Sequence, residues 1–325
     1  MPKLTCITTT YNDGPAVMTS VRSVLAQSFT DFEYIIVDDG SRDDTAALLA
    51  GLDDPRIRIL RQANDGLSGA RNKALEQARG DYVCFLDADD SRPAWAFQSI
   101  AAVIDRDDPD LILCQGVLSE LRDDLMPFYD SGRFQQIAAL CPSGSVTRDD
   151  PAAATIWPLA QGIEPQSANK VLRRAMLTRS GIAFPNTHFF EDIYFHTNVL
   201  AATWRLSFLD FPCFTYFRRY LRPQITATAG DLRFDILAVT KLTLESFARR
   251  PAFHEQAYRA AVLASCFRIV EWCGASISHA HRPAFRQTVE GLLRLIDPLY
   301  LHLPPGPEAE LAPLRRYLEG LHHAV

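Results

Sequence analysis

Three carboxylates follow directly on the apolar run Tyr82–Leu86, and they are the residues best suited to chemistry. Asp87 and Asp89 are two residues apart, so in an extended chain they point to the same side. Carboxylates crowded in this way are tolerated where a cation neutralises them, and Mg²⁺ or Mn²⁺ favours oxygen ligands. One interpretation is a metal shared with substrate phosphates. The other is a polar turn in which Asp90 or Ser91 caps the next helix.

A second apolar run, Phe32–Val37, also ends in carboxylates, at Asp38 and Asp39. The carboxyl ends of parallel strands meet at one edge of a sheet, and ligands of open α/β sheets bind at that edge. A capped turn explains each cluster singly, since Asp43 and Asp44 suit the start of a helix. Both clusters together, about fifty residues apart, favour a shared site.

Composition sets the bounds of the protein class. The chain has 325 residues, 47% hydrophobic and 22% charged, with a net charge of −6, which does not suit a general nucleic-acid binder. The longest apolar stretch, Ala260–Val270, is interrupted by Arg268 and is shorter than the roughly 18 residues that span a bilayer. The seven cysteines lack C-x-x-C spacing and predict a reduced, cytosolic protein. The start at Met1 predicts no signal peptide.

Strands and helices alternate in the first part of the sequence. Strands are predicted at Leu4–Thr10, Phe32–Val37, Ile57–Arg61, Tyr82–Leu86 and Leu111–Cys114. Helices are predicted between them at Val17–Gln27, Thr45–Leu52, Ser68–Arg79 and Pro93–Ile104. This alternation indicates an α/β fold with a mostly parallel sheet.

The alternation ends at Gly116, and loops are predicted from there to Pro165. Further on, the pattern predicts helices at Ser167–Thr178 and Asp192–Ala202 and strands at Leu206–Asp210 and Phe214–Arg218. After Asp231 only helices are predicted, at Phe234–Arg249, His254–Cys273, Pro283–Ile296 and Leu311–Leu321. We therefore expect a boundary near Gly230.

Five motifs in this order resemble the family-2 inverting glycosyltransferases of GT-A fold. They are Thr8–Asn12, Gln27–Phe29, Val37–Ser41, Asn64–Asn72 and Phe85–Asp90. Further motifs resemble the second half of bacterial capsule, lipopolysaccharide and teichoic-acid members: Asn169–Lys170, Phe189–Phe195 and Tyr216–Arg219. The resemblance implies a Rossmann-like sheet with helices on both faces. It divides the chain into a nucleotide-sugar-binding half (1–115), an acceptor-binding half (116–230) and a C-terminal helical region (231–325) that resembles no family.

The resemblance assigns the donor base and ribose to four residues. Asp39 would accept the imide N–H of uracil, a charge-assisted bond that discriminates against cytosine. Tyr11 would stack on the base, with Thr9 contributing backbone contacts, although a core aromatic at a strand end is the alternative for Tyr11. Asp38 would mainly hold the turn. Asp87 would bind ribose hydroxyls or metal.

The resemblance assigns the diphosphate to Asp89 and Arg71. Asp89 would ligate Mn²⁺ or Mg²⁺ between the two phosphates, where the metal offsets charge on the departing diphosphate. Arg71 follows a glycine-bearing loop at a helix start, so its guanidinium and the helix N-terminus both suit phosphate. The alternative for Arg71 is a solvent-exposed arginine.

An inverting transfer also needs a base that takes the proton of the acceptor hydroxyl. The resemblance puts this base at Asp192, and adjacent Glu191 would bind the acceptor or orient a loop. The alternative for Asp192 is an N-cap of the following helix, a role compatible with catalysis. Three arginines, Arg218, Arg219 and Arg222, would clamp phosphates or an anionic acceptor, or form a solvated strand end. His188 and His196 lack a metal-ligand spacing and are predicted to be structural.

The prediction is a metal-dependent enzyme that moves a sugar, from a UDP donor, to a hydroxyl on a growing glycan, a lipid-linked acceptor or a polymer. It would be cytoplasmic, or peripheral at the inner face of the cell membrane. For the C-terminal helices the open alternatives are shaping the acceptor cleft, a homo-oligomer interface and peripheral membrane contact. A non-catalytic sugar-nucleotide-binding scaffold is an alternative function. A sugar-nucleotide pyrophosphorylase is another, but the turn Tyr11–Pro15 has a single glycine where that class needs a glycine-rich loop.

Overall fold

The computed structural model describes residues 1–120, 124–187, 189–218, 229–303 and 314 of the chain. Nine strands among these residues form one sheet. The strands are β1 (Leu4–Thr10), β2 (Phe32–Asp38), β3 (Ile57–Arg61), β4 (Tyr82–Phe85), β5 (Leu111–Ser119), β6 (Leu125–Pro127), β7 (Ser145–Thr147), β8 (Lys170–Arg173) and β9 (Arg205–Phe217). Their order in the sheet is β3-β2-β1-β4-β8-β5-β9-β7, and β6 pairs with β5.

Eleven α-helices lie in the described residues. They are α1 (Val17–Leu25), α2 (Thr45–Ala50), α3 (Gly66–Gln77), α4 (Ala96–Asp107), α5 (Ser131–Leu140), α6 (Ala153–Gln161), α7 (Arg174–Ser180), α8 (Glu191–Ala202), α9 (Asp235–Ala248), α10 (Gln256–Ser276) and α11 (Arg282–Leu295). No helix among these residues is both long enough and apolar enough to cross a membrane.

The first four strands form the parallel part of the sheet that the sequence predicts. β1 pairs in parallel with β2 and β4, and β2 pairs in parallel with β3. The residues of β1, β2 and β4 are nearly all buried, as expected for strands covered on both faces. The four helices predicted between these strands are present, with ends shifted by a few residues.

The helix predicted at Ser167–Thr178 is wrong. Lys170–Arg173 forms strand β8, which pairs antiparallel with both β4 and β5, and α7 begins only at Arg174. Val171 and Leu172 are fully buried between those two strands, so pairing on both sides overrides the local helical pattern. The sheet is therefore mixed beyond β4 rather than mostly parallel.

The prediction of loops from Gly116 to Pro165 is also wrong. This stretch contains β6, α5, β7 and α6, because enough apolar side chains are buried there to stabilise short elements. The two strands predicted at Leu206–Asp210 and Phe214–Arg218 are one strand, β9. Its register with β5 shifts on either side of Gln115, and the shift produced the apparent gap in the sequence pattern.

The chain divides into two compact units. The first comprises residues 1–150, 166–186 and 202–219, and holds the whole sheet. The described part of the second comprises 151–165, 187, 189–201, 229–303 and 314, and holds α6 and α8 to α11. The predicted segments 116–230 and 231–325 thus do not coincide with the units.

Apolar residues of the C-terminal helices face the interior of the second unit. Leu237, Leu244 and Phe247 of α9 are buried, and α9 contacts α8 through a 2.6 Å hydrogen bond from Ser246 Oγ to Asn198 Oδ1. The Ser265 hydroxyl of α10 donates to the carbonyl oxygen of Gln161 at the end of α6. The predicted helix at 311–321 lies outside the described residues except for residue 314.

Candidate active site

The two acidic strand ends lie at one edge of the sheet, as the sequence predicts. Thr10 at the end of β1 is in register with Asp38 at the end of β2. On the other side of β1, Ile7 is in register with Phe85, the last residue of β4. The carboxylates that follow β2 and β4 therefore flank the end of β1, which places the predicted donor-binding residues of the first unit together.

Asp38 is a buried structural carboxylate, in agreement with its predicted role in the turn. Its Oδ1 accepts a 2.8 Å hydrogen bond from the backbone N–H of Ser41, and its Oδ2 lies 3.4 Å from Nε of Arg61. Gly40 between them has φ +78°, and a Cβ there would lie 3.0 Å from the backbone N of Asn64. This turn therefore requires glycine.

Asp39 is buried and its carboxylate accepts three hydrogen bonds. Oδ1 accepts from Gln62 Nε2 at 2.7 Å and from the Asp65 N–H at 2.9 Å. Oδ2 accepts from the Gly66 N–H at 2.9 Å, at the start of α3, where the helix dipole favours negative charge. A carboxylate offers about four acceptor positions, so roughly one remains for a further donor. The Asp39 carboxylate also occupies N–H groups at the helix end predicted for phosphate.

Tyr11 follows β1 directly and is 42% exposed, so the alternative of a core aromatic is wrong. The next residue, Asn12, has φ +54° and connects two loops. Its N–H donates to Ser41 Oγ at 3.0 Å, and its Oδ1 accepts from the Arg42 N–H at 2.8 Å. Thr9 is half-buried one position before the end of β1. Tyr11 and Thr9 thus lie at the same edge as Asp39.

The acids after β4 lie in a turn rather than in an extended chain. The prediction that Asp87 and Asp89 share one side because the chain is extended there is therefore wrong. The strand ends at Phe85, and the Asp90 N–H donates to the Asp87 carbonyl oxygen at 3.1 Å. Asp90 is buried, and its Oδ1 accepts from the Phe217 N–H at 3.0 Å. Asp87 and Asp89 are partly exposed, with 44% of the Asp87 side chain accessible. Asp90 is therefore structural, and the other two face outward.

Tyr216 of β9 lies against this acidic cluster, and the sequence pattern alone did not identify it as a site residue. Burial raises its pKa, and the nearby carboxylates of Asp90, Asp87 and Asp89 raise it further. The phenol therefore remains neutral at physiological pH. The pairing of Ser91 with Thr215 brings β9 beside the turn. The signal in the sequence is the motif Tyr216–Arg219, which the resemblance marked without giving Tyr216 a role.

Arg71 is buried, with 3% of its side chain exposed, so the alternative of a solvent-exposed arginine is wrong. Its Nη2 donates to Asp87 Oδ1 at 3.0 Å, and its Cζ lies 5.0 Å from the centroid of the Phe184 ring. Cation–π contact and the ion pair fix the guanidinium beside the acidic cluster. Arg71 and Asp87 thus hold each other in place.

A second buried arginine, Arg92, connects three segments of the chain next to the acidic cluster. Arg92 donates from Nη2 to the carbonyl oxygens of Phe85 at 2.9 Å and Ala168 at 2.8 Å. Its Nη1 donates to the Cys213 carbonyl oxygen at 3.1 Å. Arg92 therefore ties the end of β4 to the segment before β8 and to β9. Nothing in the sequence pattern distinguishes it from an exposed arginine in a loop.

The carboxylates fit a hard divalent cation by donor type and exposure. Asp87 and Asp89 supply oxygen ligands, which Mg²⁺ and Mn²⁺ prefer. Among the described residues, no group of three or more His, Cys, Asp or Glu side chains forms a complete cage. Such a cation would therefore take its remaining ligands from water and substrate phosphates, as Mg²⁺ commonly does.

A polar cavity of about 480 Å³ lies along the outer face of α3. Its lining includes Gln62 and Asp65, which also bind the Asp39 carboxylate, together with Asn72 and Lys73. Gln62 and Asp65 thus connect the lining of this cavity to the Asp39 carboxylate.

The predicted catalytic acids lie at the start of α8, in the second unit. Glu191 is the first residue of the helix and is buried, and Asp192 is half-buried in the first turn. The alternative in which Asp192 is the N-cap is wrong, because the helix begins one residue earlier. Phe190 before them has φ +65°, a left-handed conformation that costs a bulky residue about 1–3 kcal/mol. Strain of this kind clusters at functional sites.

The remaining charged candidates have structural partners or lie outside the described residues. Arg218 is half-exposed and forms a 2.8 Å ion pair with Glu120. Arg219 and Arg222 of the predicted basic cluster, and His188, lie outside the described residues. His196 is fully buried, with Nε2 at 3.3 Å from the Gln161 carbonyl oxygen, which suits its predicted structural role.

Comparison with known proteins gives the same assignment for the first part of the chain. Residues 5–154 match the family model described as Glycosyl transferase family 2. The putative glycosyltransferase EpsH of Bacillus subtilis is 28% identical over 223 residues, covering 66% of this chain and 60% of EpsH. The chain thus matches less than two thirds of the length of that relative.

Two solved structures show the same fold at low sequence identity. S. aureus TarS 1-349 in complex with UDP-GlcNAc superposes with a TM-score of 0.76 at 21% identity, covering 98% of this chain and 88% of that one. A mannosyltransferase from Pyrobaculum calidifontis, in complex with GDP-Man and Mn²⁺, gives a TM-score of 0.53 at 16% identity, covering 99% of this chain and 87% of that one. The fold is that of the GT-A glycosyltransferases.

Proposed function

Because the chain belongs to the family-2 glycosyltransferases, with the family domain at residues 5–154, we propose that it is a metal-dependent inverting enzyme. It moves a sugar from a nucleotide-sugar donor, a UDP-sugar, to a hydroxyl of a growing glycan or glycolipid. The observation that carries this proposal is the position of Asp39 and of Asp87 and Asp89 on either side of the end of β1. A nucleoside diphosphate has a base at one end and phosphates at the other. Asp39 suits the base, and Asp87 with Asp89 suits the phosphates and their cation.

The base binds at the end of β2. Asp39 accepts the uracil imide N–H with its remaining acceptor position, and the exposed ring of Tyr11 stacks on the base, with Thr9 alongside. A fixed carboxylate that accepts an N–H discriminates against cytosine, whose N3 is an acceptor. TarS, the structure with the higher TM-score of the two compared, was solved with UDP-GlcNAc, and this supports the choice of a UDP-sugar donor here.

The diphosphate binds at the end of β4. Asp89 and Asp87 hold the cation, and Asp87 also reaches the ribose hydroxyls. A bound Mn²⁺ or Mg²⁺ supplies Lewis-acid stabilisation of charge on the departing diphosphate. The buried Arg71 guanidinium fixes Asp87 and adds positive charge at the same place. The Mn²⁺ bound with GDP-Man in the Pyrobaculum enzyme supports a metal for this fold.

The acceptor is activated by Asp192. Its carboxylate takes the proton of the acceptor hydroxyl while that oxygen attacks the anomeric carbon from the face opposite to the diphosphate. The bond between the anomeric carbon and the diphosphate oxygen breaks, and the anomeric configuration inverts. Glu191 orients this helix end or binds the acceptor. The strained backbone of Phe190 supports a functional role for the acid pair that follows it.

Transfer to water tests this proposal without an acceptor. The protein is incubated with Mn²⁺ and α-linked UDP-GlcNAc, UDP-glucose or UDP-galactose, and the released sugar is followed by proton NMR before mutarotation. We expect the β-anomer first. Asp192→Asn should lower the rate about 10²- to 10⁴-fold, as for a lost general base. Its melting temperature should stay unchanged, because Asn is nearly isosteric with Asp.

Three results would contradict the proposal in different ways. Initial release of the α-anomer would exclude inversion. An unchanged rate in a folded Asp192→Asn variant would move the base elsewhere. Binding of the donor without release, even over long incubation, would favour the non-catalytic scaffold.

A further inference from the structure

Trp272 on α10 is a half-exposed indole that the second unit holds in a fixed position. Its side chain is 46% exposed. The guanidinium carbon of Arg233 lies 4.5 Å from the centroid of the indole ring. The ring of Phe190 meets it edge-on, with centroids 6.4 Å apart and an interplanar angle of 78°. An aromatic ring with two such contacts keeps one orientation although half of it faces solvent.

Packing alone does not account for this arrangement. Two other aromatic residues of α10, Tyr258 and Phe267, are fully buried in the same unit. Arg233 is buried, and its guanidinium lies against the indole, a ring that is itself left half-exposed. Exposed aromatic surface that is held rigidly is typical of binding sites.

The position of Trp272 ties it to the acid pair. Phe190 touches Trp272 and directly precedes Glu191 and Asp192. The 3.2 Å hydrogen bond from the Ile193 N–H to the Phe190 carbonyl oxygen fixes the left-handed backbone of Phe190 at the helix start. Trp272 therefore contacts the residue that leads directly into the acid pair, one member of which the proposed function assigns as the base.

The charges nearby favour a neutral ligand over a polyanion. Arg268 lies one helical turn before Trp272 on the same face of α10. It forms a 2.7 Å ion pair with Glu164, so its charge is already compensated. Arg233 is buried against the indole rather than presented to solvent. A ligand here meets an aromatic face, and neither of these two arginines is available to attract a polyanion.

We propose that Trp272 stacks a pyranose ring of the acceptor glycan, with Phe190 forming the edge of the subsite. The C–H groups on one face of a pyranose pack against the electron-rich face of an indole, and its hydroxyls remain in water. The acceptor class is then a glycan with sugar rings at or near the accepting end, rather than an open-chain polyol phosphate. This inference rests on the proposed function, in which Asp192 activates the acceptor.

Direct binding of oligosaccharides tests the subsite apart from catalysis. Cellotetraose, chitotetraose, maltotetraose and a glycerol-phosphate oligomer are titrated into the full chain and followed by saturation-transfer NMR. We expect at least one tetrasaccharide to bind, and Trp272→Ala to weaken its affinity about tenfold or more. Trp272→Phe should retain part of the affinity. Trp204→Ala is the matched control, because Trp204 is 56% exposed in the first unit and should not matter.

The donor site is monitored in the same samples by the shift in melting temperature with UDP and Mn²⁺. That shift should be the same in the wild type and in the Trp272 variants, and its absence in the wild type would count against the proposed function instead. If Trp272→Ala lowers the melting temperature, the binding experiment is done with Trp272→Leu instead, since leucine keeps apolar bulk without an aromatic face. Failure of all three tetrasaccharides to bind, or equal binding by the wild type and the Ala or Leu variant, would overturn the inference. Stronger binding of the glycerol-phosphate oligomer would also overturn it.

Discussion

The carboxylates after β2 and those after β4 lie at the same edge of the sheet, but the protein holds them in different ways. At β2 both acids are buried, and Asp39 alone accepts three hydrogen bonds from protein N–H groups. At β4 only Asp90 is buried, while Asp87 and Asp89 remain partly exposed. One end is organised before any ligand arrives, and the other keeps charge accessible.

This difference suits an edge of the sheet that, in the proposed function, binds the base of a nucleotide sugar at β2 and its phosphates at β4. A planar base is read by a few directional hydrogen bonds, which need an acceptor fixed within a rigid loop. A cation with phosphates needs accessible charge that its own ligands complete. In the proposed function, aspartate would therefore serve structure and base recognition at the end of β2, but electrostatics at the end of β4. Substitutions at the two ends should separate stability from metal dependence.

The largest effect is expected at β4. Asp89→Asn removes a proposed metal ligand, and loss of several kcal/mol of charge stabilisation corresponds to a rate about 10²- to 10⁴-fold lower. The melting temperature should stay unchanged because the side chain is partly exposed. Rates of UDP release with Mn²⁺ and thermal melts of the same samples measure both quantities.

Asp81→Asn is the matched control for this variant. Asp81 is exposed and precedes the same strand at its opposite end, so neither quantity should change. A normal rate for Asp89→Asn in the presence of chelator would show that the acids at β4 hold no catalytic metal.

The next effect is expected at β2, and on stability. Asp38→Ala leaves the buried N–H of Ser41 without its acceptor and removes the contact with Arg61. An unsatisfied buried group costs about 1–3 kcal/mol, so the free energy of unfolding in urea should fall by that amount. Arg61→Met should have a smaller effect, because the Arg61 side chain is largely exposed. Equal stability of Asp38→Ala and the wild type would show that the buried acid at β2 does not stabilise the fold, contrary to the contrast drawn with β4.

The smallest effect concerns Glu33, at the opposite end of β2 from the ligand edge. Burial raises the pKa of Glu33, but hydrogen bonds from Thr5, Arg79 and Arg58 outweigh burial and lower it overall. A lowered folded-state pKa gives stability that is present above the unfolded pKa of about 4.3 and is lost as the pH falls through the folded value. Glu33→Gln should therefore cost about 1 kcal/mol at pH 7 and less at pH 3.5.

Urea unfolding of the wild type and Glu33→Gln at both pH values measures this difference. Donor affinity should be unchanged, since Glu33 is remote from the ligand edge. A difference in stability that grows as the pH falls would show that the carboxylate is not stabilised in its charged form.

Local pattern was sufficient for the parallel part of the fold and for grouping its acids. Apolar runs such as Phe32–Val37 are buried on both faces, so their strand character and their order along the chain could be inferred from residue type. The pattern failed where a short segment depends on its neighbours. Val171 and Leu172 form a strand only because β4 and β5 lie on either side of them.

The position of the candidate residues at one edge of the sheet was predictable, but their supporting contacts were not. Tyr216 reaches the acidic turn from β9, far along the chain. Arg92 follows Asp90 by two residues, but it binds the carbonyl oxygens of Ala168 and Cys213, which only the fold brings near it. The three donors to Asp39 and the ion pair of Arg71 with Asp87 likewise follow from tertiary contacts. Trp272 was not singled out, because an aromatic residue in an apolar helical segment is expected in the core until its exposure is known.

The contrast between the two strand ends is tested most directly by calorimetric titration of UDP and CDP into the wild type and Asp89→Asn, each with Mn²⁺ and with chelator. We predict that both proteins prefer UDP over CDP by about tenfold or more, because Asp39 reads the imide N–H in either case. Mn²⁺ should tighten UDP binding in the wild type only. Equal affinity for UDP and CDP, or an undiminished effect of Mn²⁺ on Asp89→Asn, would contradict the assignment of the base to β2 and of the metal to β4.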